Sequence, residues 1–113
     1  MQINIKPLSV NEAWQGKRFK TKQHANYCTA VHAMLPPCTP AMHQLIDSKA
    51  PMTLAITFGL SSKNADIDNP VKPFIDCLQR KYGFNDKLIY QLAIEKVNVK
   101  NGKEYISFAI DSQ

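Results

Sequence analysis

The chain has 113 residues, of which 44% are hydrophobic, enough for one compact domain with a real core and too few for two. Its formal net charge is +5, and its three cysteines form an odd set with no CxxC pair, which suits reduced thiols better than a disulfide framework. No run approaches the roughly 18 to 20 apolar residues of a bilayer span, and the start lacks a basic n-region followed by an apolar h-region, so a cytosolic (cytoplasmic) protein is expected.

Residues 2–6 alternate Gln, Ile, Asn, Ile, Lys, the period of a half-buried strand, until Pro7 breaks it. A loop through Asn11, Trp14 and Gly16 leads to Lys17-Arg18-Phe19-Lys20-Thr21-Lys22, four cations in six residues with no acid among them. Such a run fits contact with phosphates, each of which releases condensed counterions when neutralised, or else a solvated helix entrance. Thr21 is a plausible N-cap, and His24, Cys28, Val31 and Leu35 recur at helical spacing, which predicts a helix over 21–35 ended by Pro36-Pro37. The proline-rich segment 36–51 reads as irregular, with one turn near 40–48. Residues 52–60 put Leu54, Ile56 and Phe58 on one face of a strand. After a polar loop, Asn69 can cap a helix, Pro70 suits its first position, and Val71, Phe74, Ile75 and Leu78 form its apolar face up to Lys81, before Gly83.

Residues 92–99 and 104–110 are strand-like on either side of Asn101-Gly102, the preferred type I′ pair. A C-terminal β-hairpin follows, in which Lys100 faces Lys103, Val97 faces Ile106, Glu95 faces Phe108 and Lys96 faces Ser107. The element order predicts a single α+β domain over 1–113, a mixed sheet of about four strands with helices on one face.

The halves differ in charge. Residues 1–60 carry six Lys/Arg against two acids, whereas residues 61–113 carry eight against seven. Among those acids, Asp66 and Asp68 stand one residue apart in the loop before a helix, and Asp86 follows after the whole helix. Mg²⁺ takes one or two carboxylates together with phosphate oxygens and waters, and D-x-D offers two on one side if the segment is extended. Neutralising the helix N-terminus would account for one aspartate. It leaves Lys72 unexplained, a cation in the first turn where the dipole disfavours it, and a local rule broken at one spot marks function. Asp76, four residues on, suits an ion pair with Lys72 as a supporting group. An EF-hand loop starting at Asp66 fails at Pro70, Val71 and Cys77, where it needs an oxygen ligand, Gly and Glu. A zinc site of His24, Cys28 and His32 lacks a fourth ligand at a usual spacing, so packed core residues are the better reading. No GxSxG or P-loop is present.

The run Asp66-Ile67-Asp68-Asn69-Pro70-Val71-Lys72-Pro73-Phe74-Ile75-Asp76-Cys77-Leu78, then Tyr82-Gly83-Phe84-Asn85-Asp86, resembles the D-x-D-N-x-x-K-x-x-x-D-x-L pattern and closing aspartate of the RusA family of Holliday-junction resolvases. Asn11, Trp14, Lys17 and Arg18 resemble that family's N-terminal segment more loosely. The resemblance implies a homodimeric, Mg²⁺-dependent endonuclease, often encoded by phages or prophages, that nicks two symmetric strands of a four-way junction in recombination and repair. It implies metal ligation by Asp66, Asp68 and Asp86 and catalysis by these and Lys72, while Asn69 and Asp76 are expected as supporting residues. Where some members pair two aspartates, this chain has Asn85-Asp86. Lys17, Arg18, Lys20 and Lys22, together with Lys96, are the expected DNA contacts. Loss of catalysis with DNA binding retained, or a nuclease for other DNA structures, are the competing expectations.

Overall fold

In the computed structural model, which describes residues 1–9, 14–15 and 19–113, the elements follow in the order β1 (Gln2–Ile3), β2 (Trp14–Gln15), β3 (Phe19–Lys20), α1 (Lys22–Met34), α2 (Pro40–Asp47), β4 (Met52–Leu60), α3 (Val71–Tyr82), a 3₁₀ turn (Asp86–Leu88), β5 (Ile89–Asn98) and β6 (Tyr105–Ser112). Helix α1 starts where expected, because the Thr21 hydroxyl accepts the His24 N–H at 3.2 Å, and it stops before Pro36, which disfavours helical dihedrals at Leu35. The segment 36–51 is a correction, since it holds a two-turn helix. Thr39 caps α2 by accepting the Met42 N–H at 3.2 Å, and Pro40 occupies the first helical position. Those two residues are a helix-start signal inside a stretch whose prolines otherwise suggest irregularity.

The four main strands form one mixed sheet in the order β1-β6-β4-β5. β4 runs parallel to β5 and antiparallel to β6. A parallel pair needs a crossover, and α3 supplies it. Leu54, Ile56 and Phe58 of β4 and Ile106 and Phe108 of β6 are buried on the face that α1 and α3 cover. Phe74 of α3 packs edge-on against both Phe58 (centroids 6.1 Å apart) and Phe108 (5.5 Å). Ala55, Ala93 and Ala109 on the other face are exposed. The mixed four-stranded α+β fold with helices on one side is therefore the one expected. β1 is shorter than 2–6, pairing only Gln2 with Ser107 and Ile3 with Ile106 of β6. No described helix is long and apolar enough to cross a membrane.

The C-terminal hairpin is not formed. A turn does exist, with the Lys103 N–H donating to the Lys100 carbonyl at 2.9 Å, but β4 lies between β5 and β6. Gly102 has φ 88° whereas Asn101 keeps a negative φ, so the turn is not type I′, and a turn without the primed twist splays its strands. The gap between them is filled by the apolar β4. Parallel pairing sets Ile94 beside Ile56 and Lys96 beside Phe58, so Leu92, Ile94 and Lys96 share the helix side in place of Ala93, Glu95 and Val97. A one-residue change of register exchanges the faces of a strand.

Candidate active site

Loop 61–70 leaves the carboxyl end of β4 and turns the chain into α3. The Lys96 ammonium ties it to the sheet, donating to the Ala65 carbonyl at 2.7 Å and the Lys63 carbonyl at 3.4 Å. Lys96 thus does not sit opposite Ser107, whose partners are Gln2 and Thr57. Two tight turns follow, with the Asn69 N–H on the Asp66 carbonyl at 3.3 Å and the Val71 N–H on the Asp68 carbonyl at 3.2 Å. They place Pro70 at the cap position, with no side-chain capping bond, so Asn69 does not cap the helix. They also mean that the D-x-D segment is not extended. Asp68 lines a shallow recess with Val71, Lys72, Leu92 and Ile94, while Asp66 lines a different one with Lys6, Ser61, Asn69 and Glu104.

Lys72 lies in the first turn of α3. Its Nζ donates to Asp76 Oδ1 at 2.8 Å and lies 3.6 Å from Asp86 Oδ2. The hydrogen bond that it donates to Asp76 raises the Lys72 pKa above its ordinary value, with burial opposing and the Asp86 charge adding to the rise. Asp76 Oδ2 also faces His24 Nε2 of α1 at 3.8 Å. Asp86 returns to Lys72 because Gly83 ends α3 in the left-handed region at φ 74°, and the Asp86 N–H then donates to Gln79 Oε1 of the helix at 3.1 Å. Asn85 has a local task, its Oδ1 accepting the Lys87 N–H at 3.0 Å to cap the 3₁₀ turn.

The structure therefore unites Lys72, Asp76 and Asp86, brings Asp68 to the same recess as Lys72, and leaves Asp66 in the neighbouring one. Asp66, Asp68 and Asp86 are all exposed and offer only hard oxygen donors, chemistry that fits Mg²⁺ with waters completing its shell. Among the described residues, no three or more His, Cys, Asp or Glu are arranged to hold a metal ion. The zinc grouping is absent too, since His24 and Cys28 are buried in the core while His32 is exposed. Of the basic run, Lys17 and Arg18 lie outside the described residues, as does the Lys20 side chain, and Lys22 is exposed at the start of α1.

Sequence reading missed two groups. Glu104, in the Asp66 recess, accepts from the Ser61 hydroxyl at 3.1 Å and the Gly102 N–H at 2.7 Å. Its own backbone N–H, helped by these two donors and opposed by burial, holds its carboxyl below the usual range. His24 is the other, buried against Asp76. Neither has a spacing signal, because each meets the site across more than 35 residues of chain. A family model described as Endodeoxyribonuclease RusA matches residues 8–108. Comparison with curated proteins gives no match.

Proposed function

The chain belongs to the RusA endodeoxyribonuclease family, and from that footing we propose that it is a Mg²⁺-dependent resolvase that cuts four-way DNA junctions by paired symmetric nicks in recombination and repair. The observation that carries this reading is Lys72, a cation in the first turn of a helix held between Asp76 at 2.8 Å and Asp86 at 3.6 Å. Asp66, Asp68 and Asp86 are the residues that would hold Mg²⁺, which when bound supplies a Lewis acid and a water of lowered pKa. Lys72 then binds a phosphate oxygen and offsets the negative charge that grows there in the transition state. Asp76 keeps the lysine aimed and charged.

Lys17, Arg18, Lys20 and Lys22 are the proposed phosphate contacts, and of these Lys22 stands exposed at the start of α1. Lys96, with two carbonyls already on its Nζ, is better assigned to holding loop 61–70 than to DNA. A two-fold homodimer would present two equivalent sites to the two equivalent strands of a junction. The test is incubation of the protein with a synthetic four-way junction and a matched duplex, in Mg²⁺ or EDTA. Paired nicks in the junction alone, and only with Mg²⁺, are expected. Equal cutting of both substrates would remove the junction selectivity, and no cutting of either in Mg²⁺ would end the nuclease reading.

A further inference from the structure

Helices α1 and α3 meet through a buried cluster that the nuclease reading does not use. Cys28 of α1 and Cys77 of α3 bring their Sγ atoms into contact, both buried and not joined by a disulfide. His24 bridges the cluster to the lysine support, with Nδ1 3.7 Å from Cys28 Sγ and Nε2 3.8 Å from Asp76 Oδ2. We propose that Cys28 and Cys77 form an oxidation site, at which a peroxide converts the two thiols into a disulfide that joins α1 to α3 and weakens the hold of Asp76 on Lys72. Only the effect on cleavage rests on the nuclease reading.

Geometry favours the bond. The two Sγ atoms already touch across the contact of α1 with α3, and a disulfide brings such atoms to about 2.05 Å. Access favours Cys28 as the first sulfur to react, because it lines a recess with Thr29, His32 and Arg80 in which Cys77 takes no part. The hydrogen bond to Cys28, and then burial, push the Cys77 thiol pKa up. Cys77 therefore keeps its proton in the reduced protein. Cys28 Sγ attacks one peroxide oxygen, the O–O bond breaks, and the departing hydroxide takes the Cys28 proton, with a His24 ring nitrogen within reach as carrier. The product is a sulfenic acid and one water. Cys77 Sγ then attacks Cys28 Sγ, the S–O bond breaks, and a second water leaves with the Cys77 proton. Two thiols have lost two electrons, and hydrogen peroxide has become two waters.

The consequence follows from adjacency. Cys77 is the next residue after Asp76 on α3, so drawing it toward α1 moves the carboxylate that holds Lys72 at 2.8 Å. In a close-packed core such a shift is transmitted along the helix.

The experiment treats the purified protein with hydrogen peroxide, digests it under non-reducing conditions and measures the peptides by mass spectrometry, with melting and junction cleavage followed in parallel. Expected are a Cys28–Cys77 linked peptide, a Tm higher by roughly 10 °C or more, and cleavage slowed about fivefold or more without weaker DNA binding, all reversed by dithiothreitol. Cys28→Ala and Cys77→Ala should each abolish the response, and Cys38→Ser should keep it. If Cys38 is oxidised while the linked peptide stays undetected in the wild-type chain, the site is refuted, and a linked protein that cleaves at the reduced rate refutes the coupling to Lys72. A reduced protein that cuts no DNA counts against the nuclease reading, while the mass and melting measurements still decide the disulfide.

Discussion

Replacing Lys72 by Met should tighten Mg²⁺ binding while stopping the chemistry. The Lys72 ammonium lies 3.6 Å from Asp86 Oδ2, so a cation arriving at Asp86 competes with one already there. At the 3.6 Å separation, the attraction comes to about 1 kcal/mol at the dielectric of water and about 5 kcal/mol at an effective dielectric of ~20. The side chains of Lys72 and Asp86 are 52% and 46% exposed, which puts the true value near the lower figure. Removing the ammonium therefore lowers the Mg²⁺ concentration at half-saturation roughly five- to tenfold, the ratio that about 1 to 1.4 kcal/mol represents. The same change removes a donor to the transition-state phosphate, a loss of about 10²–10³ in rate for comparable groups. Titration calorimetry with Mg²⁺ and single-turnover cleavage at saturating metal separate the two effects. An unchanged or weaker Mg²⁺ affinity would mean that Asp86 is not a ligand, and cleavage at the wild-type rate would remove Lys72 from the reaction.

Asp68→Asn keeps the shape of the recess and removes one negative charge from it, so cleavage should be lost while junction binding in EDTA, read by gel shift, is retained or tightened; near wild-type cleavage would show that Asp68 serves only the helix N-terminus. Gly83→Ala puts a side chain at φ 74°, which should cost about 1–2 kcal/mol in a denaturant melt and lower cleavage further through the displaced Asp86; a stability loss with activity untouched would separate this turn from the site. Neutralising Lys20 and Lys22 should weaken DNA binding and shallow its salt slope by about 0.9 per lost contact, and an unaltered slope would make the run a solvated face.

What the sequence shows clearly is what short-range chemistry controls. The Thr21 cap, the alternation of β4 and the apolar face of α3 are set within a few residues, and each appears where the pattern put it. Asp86 meets Lys72 because Gly83 turns the chain back, a contact that no spacing in the sequence announces. The failures are contests that local signals do not decide. Asn101-Gly102 does make a turn, yet the better partner for both flanking strands is β4, about 30 to 60 residues away in sequence, whose burial outweighs the hairpin. The D-x-D spacing implies a shared side only for extended backbone, and two tight turns from Asp66 to Val71 remove that condition. Glu104 and His24 reach the site only through the sheet order and the contact of α1 with α3.

The position of β6 also governs the order in which the chain can fold. This strand, the last in sequence, lies inside the sheet between the first strand and β4, and the Met1 ammonium reaches the Phe108 carbonyl across 107 residues at 3.0 Å. During synthesis, then, β4, α3 and β5 can assemble early as a parallel unit, while β1 has no strand to pair with until residues 105–112 arrive. Contacts so distant in sequence carry a large loop-closure entropy and slow the final step. Until that step, the β6 side of β4 is an unpaired apolar edge, the kind of surface on which a second unfinished chain can add a strand.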